Sequence, residues 1–152
     1  MHAPSLTRLD LPGGARPRGL VLVLHGGKPH SMAPVDARSL EVPVVLLGHS
    51  MGARTAVQVA DDPQVRGVVA LAPWFESHDA VDALRDRTLA AAHGRTDKIT
   101  SARRTQDFCR RAEGLARQVD FHDMGRVGHY MMRRVETWND FALSRSLVAL
   151  AD

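Results

Sequence analysis

Residues 42–59, VPVVLLGHSMGARTAVQV, constrain the fold more than any other part of the chain. An apolar run leads through the pentapeptide GHSMG at 48–52 into a segment with helical spacing. A strand that turns sharply into a helix, with Ser50 at the apex, is how a sheet presents a nucleophile. The flanking glycines allow the tight bend, where a side chain would clash. The rest of the chain must then supply a base, an acid that orients the base, and an oxyanion site.

Composition limits the protein class. A length of 152 residues is enough for one domain with a real core. The apolar and charged fractions, 44% and 24%, argue against disorder and against a membrane protein. The N-terminal segment MHAPSLTRLD lacks a secretory pattern, so a cytoplasmic location is expected. The single cysteine, Cys109, allows no intramolecular disulfide, which fits a reducing compartment.

The charge pattern does not indicate a nucleic-acid protein. The net charge is only +3, and nearly all basic residues are arginine, with Lys28 and Lys98 as the exceptions. This bias is typical of high-GC coding. The arginines of residues 103–111 cluster, but Asp107 and Glu113 interrupt or flank them, as on a solvated helix face. We therefore expect neither a nucleic-acid partner nor a membrane partner.

Short apolar runs alternate with helical segments along the chain. Strands are predicted at 19–24, 42–47, 65–71, 88–93 and 118–122, and helices at about 51–60, 78–87, 99–113 and 130–150. Residues 5–11 add an alternating strand that would pair with 19–24 as a hairpin. This order predicts one α/β domain with a mostly parallel sheet flanked by helices.

Three chemically capable side chains follow strand ends. Ser50, Asp97 and His129 occur in the order expected for a serine turn of this kind, and such groups gather at the carboxyl ends of parallel strands. His129 can take the proton of Ser50 as a general base. Asp97 would hold His129 in the right tautomer and stabilise its protonated form. The sequence thus predicts a Ser-His-Asp triad.

Other residues complete this prediction. The backbone N–H groups of Met51 and Gly27 are the expected oxyanion donors, and the helix that begins after Ser50 favours negative charge there. Trp74 and Phe75 at a strand end suggest an apolar wall for an acyl or aryl group, although core packing explains them equally well.

Alternatives exist for each triad position. Ser50 can be a turn and N-cap residue, and Asp97 can cap the helix that follows it. His122 is a rival base, but it lies within a predicted strand rather than on the loop that follows. Asp79 and Asp82 are rival acids after the preceding strand.

A metal site is the remaining alternative. His25 and His49 share the strand-end location of His129, but no carboxylate or cysteine spacing supports metal binding. We therefore expect no metal, and we expect His25 and His49 to shape the site rather than react.

Four segments resemble one family. They are LVLHGG at 22–27, VVLLGHSMGARTAV at 44–57, AHGRTD at 92–97 and GHYM at 128–131. In them the chain resembles a bacterial serine hydrolase of the α/β-hydrolase superfamily, in the branch of monoacylglycerol-lipase-like and dienelactone-hydrolase-like esterases. The resemblance covers almost the whole chain from residue 20. It implies an acyl hydrolase acting on a small-molecule ester or thioester through an acyl-enzyme, with no cofactor.

The chain departs from that family between two strands. In the family, a helix, a strand and a second helix separate the His-Gly strand from the nucleophile strand, whereas here only the sixteen residues 26–41 do. The resemblance therefore implies a truncated single domain, residues 1–152, that lacks the insert near residue 40. Strand 19–24 then becomes a sheet edge unless 5–11 pairs with it, and one sheet face loses its cover.

Three functions follow from this reading. The first is a minimal active hydrolase for a small to medium acyl ester, with a possible homodimer covering the exposed face or edge. The second is a non-catalytic or poorly folded remnant of such a hydrolase. The third is an acyltransferase that uses the same nucleophile.

Overall fold

The computed structural model describes residues 18–25 and 41–151. These ranges contain five strands and three helices. The strands are β1 (Leu20–Leu24), β2 (Val44–His49), β3 (Val65–Leu71), β4 (Thr88–His93) and β5 (Gln118–Asp123), and the helices are α1 (Met51–Gln58), α2 (Ala102–Ala112) and α3 (Val135–Ala151). The strands form one parallel sheet in the order β1-β2-β3-β4-β5. The predicted α/β class with a parallel sheet is confirmed.

Helices cover both faces of the sheet. Alternate strand residues such as Leu46 and Val68 pack with α1 and α2 in one core cluster. Their neighbours Val45 and Val69 pack with α3 in a second cluster. Because both faces are covered, the central strands consist mostly of apolar residues, as is typical of buried parallel strands. Within the described ranges, no helix combines the length and the apolar character needed to cross a membrane.

Two predicted helices differ from the observed ones. The helix predicted at 78–87 is only a 3₁₀ turn at Asp82–Leu84. The final helix begins at Val135 rather than near residue 130, because Met131 and Arg134 have φ angles of 57° and 59°. This left-handed conformation cannot continue into an α-helix.

The β1 side of the sheet carries exposed apolar side chains. β1 pairs with β2, and in the described part of the chain no strand pairs with its other edge. Val23 is 64% exposed, and Leu143 and Leu147 of α3 are 62% and 57% exposed. The strand predicted at 5–11 lies outside the described residues. The missing insert and the homodimer that would cover this face stay predictions.

Candidate active site

Ser50 lies at the junction of β2 and α1. β2 ends at His49 and α1 begins at Met51, so Ser50 is the one residue between them. Its φ and ψ are 55° and −119°, a strained combination for a residue with a side chain. Two backbone hydrogen bonds hold it there: its N–H donates to Leu71 O at 3.0 Å, and its carbonyl accepts from Trp74 N–H at 3.1 Å. The bend is therefore fixed by β3 and by the loop after β3.

The glycines beside Ser50 allow the chain segments to approach closely. A Cβ on Gly48 would lie 2.4 Å from the backbone of Ala53. A Cβ on Gly52 would lie 2.2 Å from the carbonyl oxygen of Leu24, at the end of β1. Because both obstacles are backbone atoms, they cannot move aside as a side chain would. Glycine thus serves packing of α1 against the sheet as well as the bend itself.

The structure brings Ser50, His129 and Asp97 together. His129 Nε2 is 3.0 Å from Ser50 Oγ, and His129 Nδ1 is 2.8 Å from Asp97 Oδ2. Ser50 and His129 are each 7% exposed, and the Asp97 side chain is 1% exposed. One neutral tautomer satisfies both contacts: Nδ1–H donates to Asp97, and Nε2 accepts the hydroxyl proton of Ser50. In this tautomer the imidazole is ready to act as a base toward the serine.

Hydrogen bonds stabilise the charge of Asp97. Its Oδ1 accepts from the N–H groups of Ile99 and Thr100 at 2.8 and 2.9 Å, and its Oδ2 accepts from the Thr100 hydroxyl at 2.8 Å. Burial works to raise the pKa of Asp97, but the bonds from Thr100, His129 and Ile99 outweigh it and hold that pKa below its ordinary value. Asp97 is therefore ionised at neutral pH. The same bonds to Ile99 and Thr100 pair the N–H groups of the turn before α2, whose N-cap is Ser101.

The rival acids and the rival base lie in other surroundings. The carboxylate of Asp79 accepts from Arg54 at 2.6 Å and from Glu76 N–H at 2.9 Å. Asp82 opens the 3₁₀ turn. His122 is exposed on β5, and its ring packs 5.5 Å from that of Phe141.

Of the two predicted oxyanion donors, only Met51 lies among the described residues. Met51 is the first residue of α1, so its N–H belongs to the first turn, whose N–H groups have no intrahelical acceptor. Gly27 lies outside the described residues.

The two aromatic residues have different environments. Phe75 is 2% exposed, and its ring stacks on that of Phe108 at 4.0 Å. Phe75 therefore packs in the core, which was the alternative to an acyl-binding wall. Trp74 is 39% exposed, and its indole N–H donates to Glu76 at 2.8 Å.

His49 supports the loop that carries His129. Its Nε2 lies 3.0 Å from the main-chain carbonyl of His129, and the two rings are 4.8 Å apart. Burial lowers the pKa of His49, so the neutral ring donates an N–H to this carbonyl at neutral pH. His49 was expected to shape the site, and this contact is of that kind.

The structure adds three side chains that sequence reasoning missed. Thr100, Thr105 and His93 lie behind Asp97, and each is at most 7% exposed. The signal for Thr100 was its position three residues after an acid, a spacing that favours a local side-chain bond. The signal for His93 was a polar residue closing an otherwise apolar strand. Among the described residues, no group of three His, Cys, Asp or Glu side chains is placed to hold a metal ion.

Three solved structures show the similarity of this fold to known proteins. A serine hydrolase homologue from Coxiella burnetii is 18% identical over 73% of this chain and 52% of its own, with a TM-score of 0.60. Est1E from Butyrivibrio proteoclasticus, with ferulic acid bound, is 10% identical over 94% of both chains, with a TM-score of 0.72. The esterase domain of a Rhodothermus marinus protein is 14% identical over 92% of this chain and 90% of its own, with a TM-score of 0.66. At these identities the similarity is one of fold.

The sequence also matches a family directly. The chain spans about half the length of the Coxiella burnetii protein. The comparison with curated proteins gives no match. A family model described as an alpha/beta hydrolase domain matches residues 29–118, more than half of the chain, including Ser50 and Asp97. As the resemblance of its motifs indicated, the chain belongs to the alpha/beta hydrolase family of enzymes.

Proposed function

We propose that the protein is a serine hydrolase that cleaves carboxylic esters through Ser50, His129 and Asp97. One observation carries the proposal: an unbroken line of hydrogen bonds, 3.0 Å from Ser50 to His129 and 2.8 Å from His129 to Asp97. Family membership supports the same class of reaction. The strained conformation of Ser50 also supports it, because such strain persists only where the surrounding structure holds it.

The reaction divides into two similar halves. Ser50 Oγ attacks the ester carbonyl carbon while its proton moves to His129 Nε2. The tetrahedral intermediate collapses, the C–O bond to the alcohol breaks, and His129 returns the proton to the leaving oxygen. Water then gives its proton to His129 and attacks the acyl-enzyme, which releases the acid and restores the Ser50 hydroxyl. Asp97 stays ionised throughout and stabilises the protonated His129.

Negative charge on the carbonyl oxygen needs donors close to Ser50. The N–H of Met51 supplies one in this proposal, and the start of α1 adds favourable potential for an anion. Gly27 is the proposed second donor. Removing a donor of this kind typically lowers kcat by about 10²–10³-fold, so the oxyanion site contributes much of the rate.

We propose small or medium acyl groups as the substrate class. Between β3 and β4, residues 72–87 contain only one 3₁₀ turn, so this connection supplies no helical cap to enclose a long chain. Trp74 is half-exposed, and its main-chain N–H donates to the Ser50 carbonyl, so we propose its ring as the aromatic surface beside the nucleophile. A cavity of about 430 Å³ beside α1 is lined by residues such as Arg54 and Phe108 and not by Ser50, so it is not the proposed acyl site.

A panel of nitrophenyl esters checks the acyl preference. We expect kcat/KM to be highest for acetyl and butyryl esters and to fall for octanoyl and palmitoyl esters, because an uncapped site gives a long chain little surface to bind. Methyl ferulate belongs in the panel because Est1E binds ferulic acid. A preference for the palmitoyl ester would contradict the proposed substrate class.

Covalent labelling tests the nucleophile itself. A fluorophosphonate probe should phosphonylate the purified protein, and peptide mapping should place the adduct on Ser50, the serine bonded to His129. A melting curve on the same sample should show a cooperative transition. A folded sample without labelling would reject the active hydrolase and favour the non-catalytic remnant, and an adduct on another serine would reject the assignment of Ser50.

A further inference from the structure

A second histidine lies against the proposed catalytic acid. His93, the last residue of β4, is 0% exposed. Its Nε2 is 3.2 Å from Asp97 Oδ2 and 3.3 Å from the Thr100 hydroxyl. Its Nδ1 is 2.8 Å from the Thr105 hydroxyl on α2. A fully buried imidazole thus bridges α2 to the carboxylate that faces His129.

We propose that His93 is a positioning residue that donates a hydrogen bond to Asp97 and thereby limits how strongly Asp97 attracts the proton held by His129. The inference rests on the proposed function, in which His129 is the base. It assigns to His93 an effect on the pH range of the reaction, exerted through Asp97 and without contact with the substrate.

The protonation state of His93 follows from its surroundings. Burial lowers the pKa of His93, although the nearby Asp97 acts to raise it, so the ring is neutral at neutral pH. A neutral ring has one N–H. If that proton were on Nδ1, the lone pair of Nε2 would face the carboxylate at 3.2 Å, which is repulsive. The other tautomer puts N–H on Nε2, which lies 3.2 Å from Asp97 Oδ2 and 3.3 Å from the Thr100 hydroxyl, and Nδ1 accepts from the Thr105 hydroxyl at 2.8 Å. The Thr105 proton takes this shorter bond in preference to its 3.3 Å contact with the Ser101 carbonyl.

Three donors then converge on one oxygen of Asp97. Oδ2 lies 2.8 Å from His129 Nδ1, 2.8 Å from the Thr100 hydroxyl and 3.2 Å from His93 Nε2. A carboxylate oxygen has two lone pairs, so these donors share its charge. Without His93, more of that charge acts on His129. The protonated form of His129 becomes more stable, and the base stays protonated to a higher pH.

The remaining charged groups near this cluster do not offset the effect. His49 contacts the His129 main chain, and its ring lies 4.8 Å from the His129 ring. On α2, Cys109 is one turn from Thr105, and burial raises its pKa to about 12, so the thiol is neutral. The flanking ions pair with one another at the surface, Arg95 with Asp123 and Arg104 with Glu76.

The pH dependence of turnover tests the inference. In His93→Leu, which removes the donor, we expect kcat/KM to fall about 10- to 100-fold, because Asp97 loses a fixed neighbour and then orients the His129 ring less precisely. The loss should lie in kcat, with KM within about twofold of the wild type. The acid limb of kcat/KM should move to higher pH by about 0.5, because the base must be neutral to act. His93→Gln places an N–H near the position of Nε2 and should restore most of kcat and the acid limb. His122→Leu, the same change at an exposed histidine, should alter neither.

Several outcomes would overturn the inference. A folded His93→Leu protein with the wild-type pH profile does so, as does an acid limb that moves to lower pH. A loss of kcat that His93→Gln does not restore indicates a packing role only. If His93→Leu does not fold, Thr105→Val replaces the test, since it removes the hydroxyl that fixes the tautomer of His93 and should move the acid limb in the same direction. An unchanged acid limb in that variant overturns the inference.

A second measurement separates this inference from the proposed function. The NMR titration of the His129 ring protons in the wild type and in His93→Leu needs no turnover. A midpoint that moves to higher pH in the variant supports His93 even if no ester is cleaved, in which case the proposed function alone fails. An unchanged midpoint in a labelled, active enzyme rejects the inference and leaves the proposed function intact.

Discussion

Replacing Ser50 with alanine is expected to lower kcat for nitrophenyl acetate by about 10⁶-fold, the loss seen when the nucleophile of a triad is removed. The expectation follows from the 3.0 Å contact between Ser50 Oγ and His129 Nε2, since no other group would carry the acyl intermediate. Steady-state kinetics with a sensitive chromogenic ester measure the effect. The melting temperature should change little, because the Ser50 side chain has no capping hydrogen bond to α1.

Ser144→Ala is the matched control for this substitution. The Ser144 hydroxyl donates to the carbonyl of Phe141 within α3, away from the proposed site, so kcat should equal that of the wild type. If Ser50→Ala keeps more than about a tenth of the wild-type kcat, Ser50 is not the nucleophile. If both variants lose activity, the defect lies in folding, which the melting curves would show.

Asp97→Asn should lower kcat by about 10⁴-fold, the loss found for the corresponding change in a well-studied triad. An amide NH₂ at the position of Oδ2 would face His129 Nδ1–H, now 2.8 Å away, and would favour the tautomer with the proton on Nε2. That tautomer cannot accept the proton of Ser50. KM should change much less than kcat, because Asp97 is buried behind His129 and does not face the substrate.

Asp82→Asn serves as the control for this acid. Asp82 opens the 3₁₀ turn after β3, the position where a rival acid was considered in the sequence, and the substitution should leave kcat unchanged. The reverse pattern, with Asp82→Asn inactive and Asp97→Asn active, would show that the acid has been assigned to the wrong strand end.

Much of the architecture was predictable from local patterns. Strands β3 and β4 have the predicted bounds because each contains a buried run of small and apolar residues, 67–71 in β3 and 89–92 in β4. The glycines on both sides of Ser50 predicted the position of the bend, because this pattern between an apolar run and a helix is typical of a sharp strand-to-helix turn. The proximity of Asp97 and His129 was predictable because parallel strands place their carboxyl ends at one edge of the sheet.

The features that the sequence did not predict depend on contacts between distant segments. The residues before Val135 contain good helix formers, and only the positive φ angles of Met131 and Arg134 delay α3. The carboxylate of Asp79 accepts a hydrogen bond from Arg54, and in place of the helix predicted at 78–87 the chain forms only a 3₁₀ turn. The position of His93 against Asp97 likewise depends on how α2 packs on β4, which no local pattern contains.

The geometry of the proposed site depends on the register of the strands in the sheet. Ser50, Asp97 and His129 follow β2, β4 and β5, and Ser50 and His129 are 79 residues apart in the chain. A slip of one residue between β4 and β5 would displace their ends by about 3.3 Å and turn every side chain to the other face. A displacement of this size would break the 2.8 Å hydrogen bond between His129 and Asp97. Under the proposed function, the fraction of purified molecules that react with a fluorophosphonate would therefore measure the fraction in which this sheet has assembled in the correct register.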